Sequence, residues 1–349
     1  MIAKHHPSVT GDPAPAEKSP DRLMDSFRRQ VVYMRVSITD RCDLRCSYCM
    51  PPWGNHWMPQ DTLLSYAELL RVIRIAADRG VYKVRVTGGE PLIRPGAVDF
   101  VRRLVQVPGI RQVALTTNGV HLAKHARSLY RVGLRKLNVS LDSLNRERFA
   151  QITRSDRLQQ VWEGILAAID AGFELVKINC VVQKGVNDDE VADLAALTAT
   201  LPLDVRFIEF MPVADWDLWK RRYVSADDIL ARIERRFGGL TPLTGHDPGA
   251  GPAEHFRIAG HVGRVGVIRA LSHDFCDRCN RIRLTADGKL RPCLFGRVAM
   301  DFRQPLQTGA TDEALATLLD EALAIKPDGH QLSWERPERM LQSMISIGG

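Results

Sequence analysis

The sequence predicts an α/β fold, a partial or full barrel of repeated βα units, and three observations predict it. Six short β-like runs alternate with amphipathic helical stretches from Val31 onward. Repeated βα units imply a parallel sheet, and closing that sheet into a barrel puts a site at the C-terminal ends of the strands. Four of the runs carry one apolar and one polar face, whereas a parallel sheet covered on both sides shows nearly continuous apolar runs. A wet or ligand-filled interior follows. The length of 349 residues corresponds to about two domains or one large barrel.

The elements follow in order. YMRVSITD (33–40) precedes a helical stretch over 66–80, KVRVTGG (83–89) one over 97–107, and RQVALTTNG (111–119) one over 122–133. KLNVSLD (136–142) precedes 158–172, ELVKINCVV (174–182) precedes 189–201, and DVRFIEFMP (204–212) precedes 225–238. Alternation puts Met34, Val36 and Ile38 opposite Arg35, Ser37 and Thr39, and Val84 and Val86 opposite Arg85 and Thr87. Leu137, Val139 and Leu141 likewise oppose Asn138, Ser140 and Asp142, and Val176, Ile178 and Cys180 oppose Lys177 and Asn179. Beyond Phe237 a Gly- and Pro-rich stretch leads to hairpin-forming runs, HFRIAG with RVGVIRA and then RIRLTADGKLRPCLF with its Asp287-Gly288 turn. The organisation expected is a flexible segment over 1–24, a barrel over 25–238 and a smaller C-terminal region over 239–349.

Composition narrows the function. Hydrophobic residues are 45% and charged residues 26%, as in an ordinary globular enzyme. Charges interrupt every apolar stretch before the roughly 18 residues of a membrane span, and the N-terminus lacks the apolar core of a signal peptide, so a cytoplasmic location is expected. The net charge is +7. The charges of residues 1–22 cancel and no run of five or six like charges occurs, which favours dispersed or pocket charge over a nucleic-acid or membrane face. No G-x-x-x-x-G-K-[ST] occurs, so any phosphates must be met by side-chain cations. The seven cysteines, at 42, 46, 49, 180, 276, 279 and 293, cluster as metal ligands do, not as a disulfide framework. Cys180, among Val176, Ile178 and Val182, reads as a buried apolar thiol.

Cys42, Cys46 and Cys49 are spaced C-x3-C-x2-C in a loop directly after the first strand. Three thiolates can hold one face of a [4Fe–4S] cluster and leave one iron open, whereas a structural zinc site takes four ligands, here with His56 as the alternative fourth. The loop, with Tyr48 before its third cysteine, resembles the signature of the radical S-adenosylmethionine (radical SAM) superfamily. Gly88-Gly89-Glu90-Pro91, ending the second strand, is similar to that superfamily's element for the methionine end of S-adenosylmethionine (SAM). The resemblance implies a partial (β/α)6 TIM-type barrel and reductive cleavage of SAM to a 5′-deoxyadenosyl radical.

Cys276, Cys279 and Cys293 offer a second triad, for which zinc with His273 is the alternative. Asn280-Arg281-Ile282-Arg283 and LTADGKLRPCL following it resemble the C-terminal cluster loop of the GTP 3′,8-cyclase family, from about Leu23 to the terminal Gly348-Gly349. That resemblance implies a second [4Fe–4S] cluster in the C-terminal region, with an iron open to the substrate base. It implies SAM contacts at Tyr48, Gly89, Glu90, Ser140 and Met211, and GTP contacts at Arg35, Arg85, Thr116, Lys177, Arg281, Ile282 and Arg283. It further implies catalytic roles for Arg281, Arg283, Gly348 and Gly349. The implied reaction removes the ribose 3′ hydrogen of GTP, joins C3′ to C8 and reduces the product to 3′,8-cyclo-7,8-dihydro-GTP, the first step of molybdenum cofactor biosynthesis. An external one-electron reductant, a homodimer and hand-over to cyclic pyranopterin monophosphate synthase are implied as well, with neither nucleic acid nor membrane as partner. The alternatives are another two-cluster radical SAM enzyme, such as a peptide-modifying maturase, or a non-catalytic iron–sulfur sensor.

Overall fold

A computed structural model of the chain describes residues 22–50, 57–212, 216–244, 251–273, 275–296, 300–330 and 344–347. The chain is already in the core at Leu23, whose N–H donates to the carbonyl of Arg79. Strands and helices then alternate: β1 (Tyr33–Ser37), α1 (Tyr66–Asp78), β2 (Lys83–Thr87), α2 (Ala97–Leu104), β3 (Gln112–Thr117) and α3 (Leu122–Arg131). There follow β4 (Lys136–Ser140), α4 (Arg146–Thr153), α5 (Leu158–Asp170), β5 (Leu175–Val182), α6 (Val191–Ala196), β6 (Leu203–Glu209), α7 (Trp216–Arg222) and α8 (Ala226–Phe237). The C-terminal region adds β7 (Leu240–Pro242), β8 (Glu254–Ile258), β9 (Arg264–Ile268), β10 (Arg281–Leu284), β11 (Lys289–Arg291), β12 (Met300–Asp301), α9 (Arg303–Gln307) and α10 (Asp312–Ala324).

Local chemistry sets the boundaries. At the start of α1, Ser65 and Glu68 exchange side-chain-to-backbone hydrogen bonds, a capping box that satisfies two orphan donors of the first turn. Strands β1 to β4 stop two residues or so before the apolar alternation does, because the chain turns there into the loops that build the site. Helices α4 and α7 go beyond the sequence expectation.

All twelve strands form one sheet in the order β12-β11-β10-β1-β2-β3-β4-β5-β6-β9-β8-β7. β1 to β6 pair parallel in sequence, and β10 joins β1 and β9 joins β6, also parallel. The region from residue 239 is therefore no separate sheet. Its two hairpins, β8 with β9 and β10 with β11, extend opposite edges of the arc. The Asp287-Gly288 turn forms as the sequence indicates, with Gly288 at φ +84°, which glycine adopts without steric cost.

The apolar strand faces form the core with the helices: Met34, Val36, Val84, Val86, Leu137, Val139, Val176 and Ile178 are all buried in it. Cys180 is fully buried there too. At the end of β6 buried Glu209 accepts from Tyr223 Oη and from the backbone N–H groups of Ala226, Leu271 and Ser272, joining β6 to α8 and to the segment after β9. Unsatisfied buried donors cost about 1–3 kcal/mol each. Glu209→Ala should therefore destabilise the protein by about 3 kcal/mol or more, seen as a lowered thermal midpoint; an unchanged midpoint would refute the joint.

Candidate functional site: a cysteine- and arginine-lined cavity

The polar strand faces point inward and line a cavity of about 340 Å³. Arg35 from β1, Arg85 from β2, Thr116 from β3, Ser140 from β4 and Asn179 from β5 all contribute to its wall. All six clustered cysteines line the same cavity, and all are free thiols.

Backbone contacts fix the first cysteine loop. The N–H groups of Arg45 and Ser47 donate to the carbonyls of Thr153 and Ile152 at the end of α4. Asn118 Nδ2 donates to Cys42 Sγ at 3.7 Å and to Asp43. Gly88-Gly89 lies against the start of this loop: a Cβ on Gly89 would sit 2.1 Å from the Arg41 carbonyl oxygen, and one on Gly88 2.7 Å from that of Thr39. Only glycine permits that approach. Glu90 is fully buried and braces the ends of β2 and β3, accepting from Leu92 N, Thr117 Oγ1 and Asn118 N. Burial raises its carboxyl to about 7 against those bonds. Tyr48 donates to Asp142 at 2.7 Å, and burial lifts Asp142 to about 6 despite that bond.

The second triad closes the open side of the arc. β9 ends beside Ile208 of β6, and β10 begins beside Tyr33 at the start of β1. The intervening segment 269–280 thus runs from one edge of the parallel array to the other and carries Cys276 and Cys279 across the gap. Cys293 follows β11. Met344 and Ile345 also line the cavity.

Electrostatics set Cys279 apart from the first triad. Burial pushes Cys42 and Cys49 up to about 12 and Cys46 well above its usual range. Burial also pushes Cys279 up, but Arg281 and Lys326 beside it outweigh that and bring it to about 7. The wall is strongly cationic. Arg35 is held well below the usual arginine range by burial and by Arg283, Arg85 and Arg281, with Tyr33 opposing. Burial and neighbouring Arg281 hold Arg283 at about 10, with Tyr33, Cys279 and Cys293 opposing and no carboxylate among these neighbours. Burial alone would raise Tyr33, but Arg85, Arg35, Lys83 and Arg281 draw it down to about 8.

Several buried polar atoms on this wall lack a hydrogen-bond partner: Arg85 Nε, Arg283 Nη1, Asn138 Oδ1 and Asn179 Oδ1. Orphaned donors and acceptors beside a cavity fit a polar, anionic ligand. The thiols fit clusters better than single ions. Among the described residues no three His, Cys, Asp or Glu side chains converge on a single-ion site, whereas a cubane spreads its thiolates around a wider body. His56, the other histidine considered for zinc, lies outside the described residues.

Of the residues expected from sequence, Tyr48, Gly89, Ser140, Met211, Arg35, Arg85, Thr116, Arg281 and Arg283 line the cavity with the six cysteines. Lys177 lies behind the lining, buried beside Arg206, Arg85, Asp204 and Lys83. Ile282 packs its side chain into the core, which leaves only its backbone for a ligand. Gly348 and Gly349 lie outside the described residues. Tyr33, Arg206 and Phe275 also line the cavity and were not singled out from sequence. Arg206 is held by Asp204 through two hydrogen bonds, and Arg281 stacks over Phe275 at 4.6 Å. The same alternation read along β6 exposes Arg206: Val205 and Phe207 are core, so residue 206 faces inward.

Known proteins match this arrangement. The radical SAM superfamily model matches residues 36–198, and the Molybdenum Cofactor Synthesis C model residues 203–332. Among solved structures, Streptococcus suis SuiB bound to precursor peptide SuiA superposes with a TM-score of 0.59 at 14% identity, covering 85% of this chain and 67% of that one. Curated relatives include a GTP 3′,8-cyclase from Pelotomaculum thermopropionicum, 45% identical over 94% of this chain and all of the relative. Another, GTP 3′,8-cyclase 2 of Pseudomonas aeruginosa, is 44% identical over 95% of this chain and all of the relative. Fold and site together define a radical SAM enzyme that uses SAM and iron–sulfur clusters. Within that class, the chain belongs to the GTP 3′,8-cyclase family.

The charge difference between the triads is testable in cluster-free protein, because the thiolate is the reactive form. At pH 7.5 iodoacetamide should modify Cys279 at least about tenfold faster than Cys42, Cys46 or Cys49, as read by peptide mass spectrometry. Equal rates would contradict the electrostatic contrast.

Proposed function

We propose that this chain converts GTP to (8S)-3′,8-cyclo-7,8-dihydroguanosine 5′-triphosphate, the first step of molybdenum cofactor biosynthesis. One observation carries the reading: both cysteine triads and the arginines of β1, β2 and β10 line a single cavity. That arrangement supports a reaction in which the chemistry of two clusters meets one substrate. When bound, SAM and the clusters supply a 5′-deoxyadenosyl radical and the electron that reduces the cyclised product.

The chain's own residues position, exclude water and hold charge. Cys42, Cys46 and Cys49 hold the cleaving cluster; Tyr48, Gly89, Ser140 and Met211 form the SAM side of the wall, with Glu90 shaping the loop that carries Gly89. Cys276, Cys279 and Cys293 hold the substrate-side cluster. Arg35, Arg85 and Thr116, with Lys177 behind them, receive the triphosphate, since forked guanidinium groups suit phosphate oxygens. Arg281 and Arg283, with the backbone of Ile282, meet the nucleotide. Arg283, at about 10, gives up a proton more readily than an exposed arginine. Phe275, Leu294, Phe295 and Ile345 supply apolar lining that keeps water from the reacting atoms. Met344 and Ile345 at the wall support a catalytic role for Gly348 and Gly349 just beyond them.

An external one-electron reductant, hand-over of the product to cyclic pyranopterin monophosphate synthase, a homodimer and a cytoplasmic location complete the reading by family likeness. Seven free thiols suit a reducing compartment. Among the described residues no helix is long and apolar enough to cross a membrane.

The deciding experiment incubates anaerobically reconstituted protein with dithionite, SAM and GTP. Formation of 5′-deoxyadenosine that depends on GTP, together with cyclised product, is expected; GTP-independent formation, or none, overturns the reading. Arg281→Ala or Arg283→Ala should cut cyclised product by about 100-fold, the scale of a lost transition-state contact, while 5′-deoxyadenosine still forms. Unaltered cyclisation would refute their role.

Lys177 adds a pH test. Burial, with Arg206, Arg85 and Lys83, lowers its ammonium to about 6 despite Asp204. A bound triphosphate raises that value, so between the free and bound pKa values binding takes up a proton. Affinity for GTP should fall as pH rises above 6, by at most about tenfold per unit. Titration calorimetry in two buffers of different ionisation enthalpy measures the proton uptake, which Lys177→Met should abolish.

A further inference from the structure

Lys326, two residues beyond α10, is 3% exposed and turns its ammonium into the second cysteine loop. Its Nζ donates to the carbonyl oxygen of Pro292 at 2.9 Å, to that of Arg281 at 3.1 Å and to Cys279 Sγ at 3.4 Å. An ammonium has three donors, and all three are spent here. Two bonds anchor the backbone beside Cys293 and beyond Cys279; the third reaches a sulfur. Lys326 forms no ion pair with a carboxylate among the described residues.

The lysine belongs to a strap packed along the same loop. Arg29, itself paired with buried Asp25 at 2.6 Å, donates to the carbonyls of Cys276 and Pro327 at 2.6 Å each and to that of Asp328. The ring of His330 meets that of Phe295 edge-on at 5.3 Å. Residues 326–330 are thereby fixed against both ends of the second triad.

A buried, desolvated cation needs an anion to offset its charge. Here the anion offered is thiolate sulfur. Hydrogen bonds to ligand sulfurs and nearby positive charge both favour the more negative, reduced form of an iron–sulfur cluster. We propose that Lys326 is a positioning residue that raises the reduction potential of the cluster held by Cys276, Cys279 and Cys293. This rests on the assignment of a cluster to that triad. Retention of the electron near the substrate, away from the first cluster, is the functional consequence.

The test compares wild type, Lys326→Met, Lys326→Gln and Lys326→Arg as reconstituted holoenzymes. Iron is quantified, and both clusters are followed through a redox titration by electron paramagnetic resonance, with SAM added to mark the signal of the first. In Lys326→Met the second cluster should become harder to reduce by about tenfold in equilibrium constant, which is 59 mV for one electron. The first cluster should not move, and Lys326→Arg should restore most of the shift. If Lys326→Met fails to hold the second cluster, Lys326→Gln decides, since it keeps a donor without the charge: a lowered potential supports the proposal and an unmoved one overturns it. A wild-type protein holding one cluster would overturn the assignment of the triad itself. Two clusters with potentials unmoved in both neutral variants would overturn the role of Lys326 alone.

Discussion

Positive charge gathered at the inner wall is the constraint on which the structure depends. Arg35, Arg85, Arg281, Arg283, Lys83, Lys177 and Arg206 lie near one another at the inner wall, and Asp204 is the buried carboxylate among them. Asp204 is itself shared by Arg206, Arg264 and His255, and His255 and Arg206 hold its carboxyl far below the usual range against burial. The cations press on one another around the cavity, and like charges inside a protein repel more strongly than in bulk water. A highly charged anion relieves that repulsion. Substrate recognition and the stability of the barrel interior are thus one electrostatic problem, and the +7 surplus is partly explained by it.

The sheet topology turns this charged arc into a two-sided reaction chamber. Six βα units bring one cysteine triad to the loop after β1. The two C-terminal hairpins occupy opposite edges, and the chain between them must cross the opening. Cys276 and Cys279 on that crossing, with Cys293 after β11, face the same cavity. Cys279 differs from the first triad: burial, with Glu90, Asp43 and Asp142 adding to it, keeps Cys42 and Cys49 protonated, while Arg281 and Lys326 favour the thiolate at Cys279.

Much of this was legible in sequence because it rests on short-range periodicity. The alternation in 33–40, 83–89, 136–142 and 174–182 already separated core from cavity wall, and Arg35, Arg85 and Ser140 fall where that alternation puts them. The cysteine spacings marked two metal-binding loops, and the resemblance of those loops to a known family implied their chemistry. What stayed illegible depends on contacts between distant segments. Nothing local in 239–349 shows that β9 and β10 would dock on opposite edges of the arc. Glu90 has a bracing role that sequence does not show, its oxygens accepting from Leu92, Thr117 and Asn118. Lys326 and Arg29 are unremarkable in sequence, and only the folded chain puts them against the cysteine loop.

The parallel pairing of β1 with β10 has a bearing on biogenesis. Tyr33 finds its partner Arg281 about 250 residues later, and at ribosomal speeds of 5–20 residues per second that delay is on the order of 10 to 50 s. Throughout it, one edge of a half-made parallel sheet, with its unpaired backbone donors and acceptors, stands open to other nascent chains. The last third of the gene product therefore acts on the first third as a late-arriving edge guard.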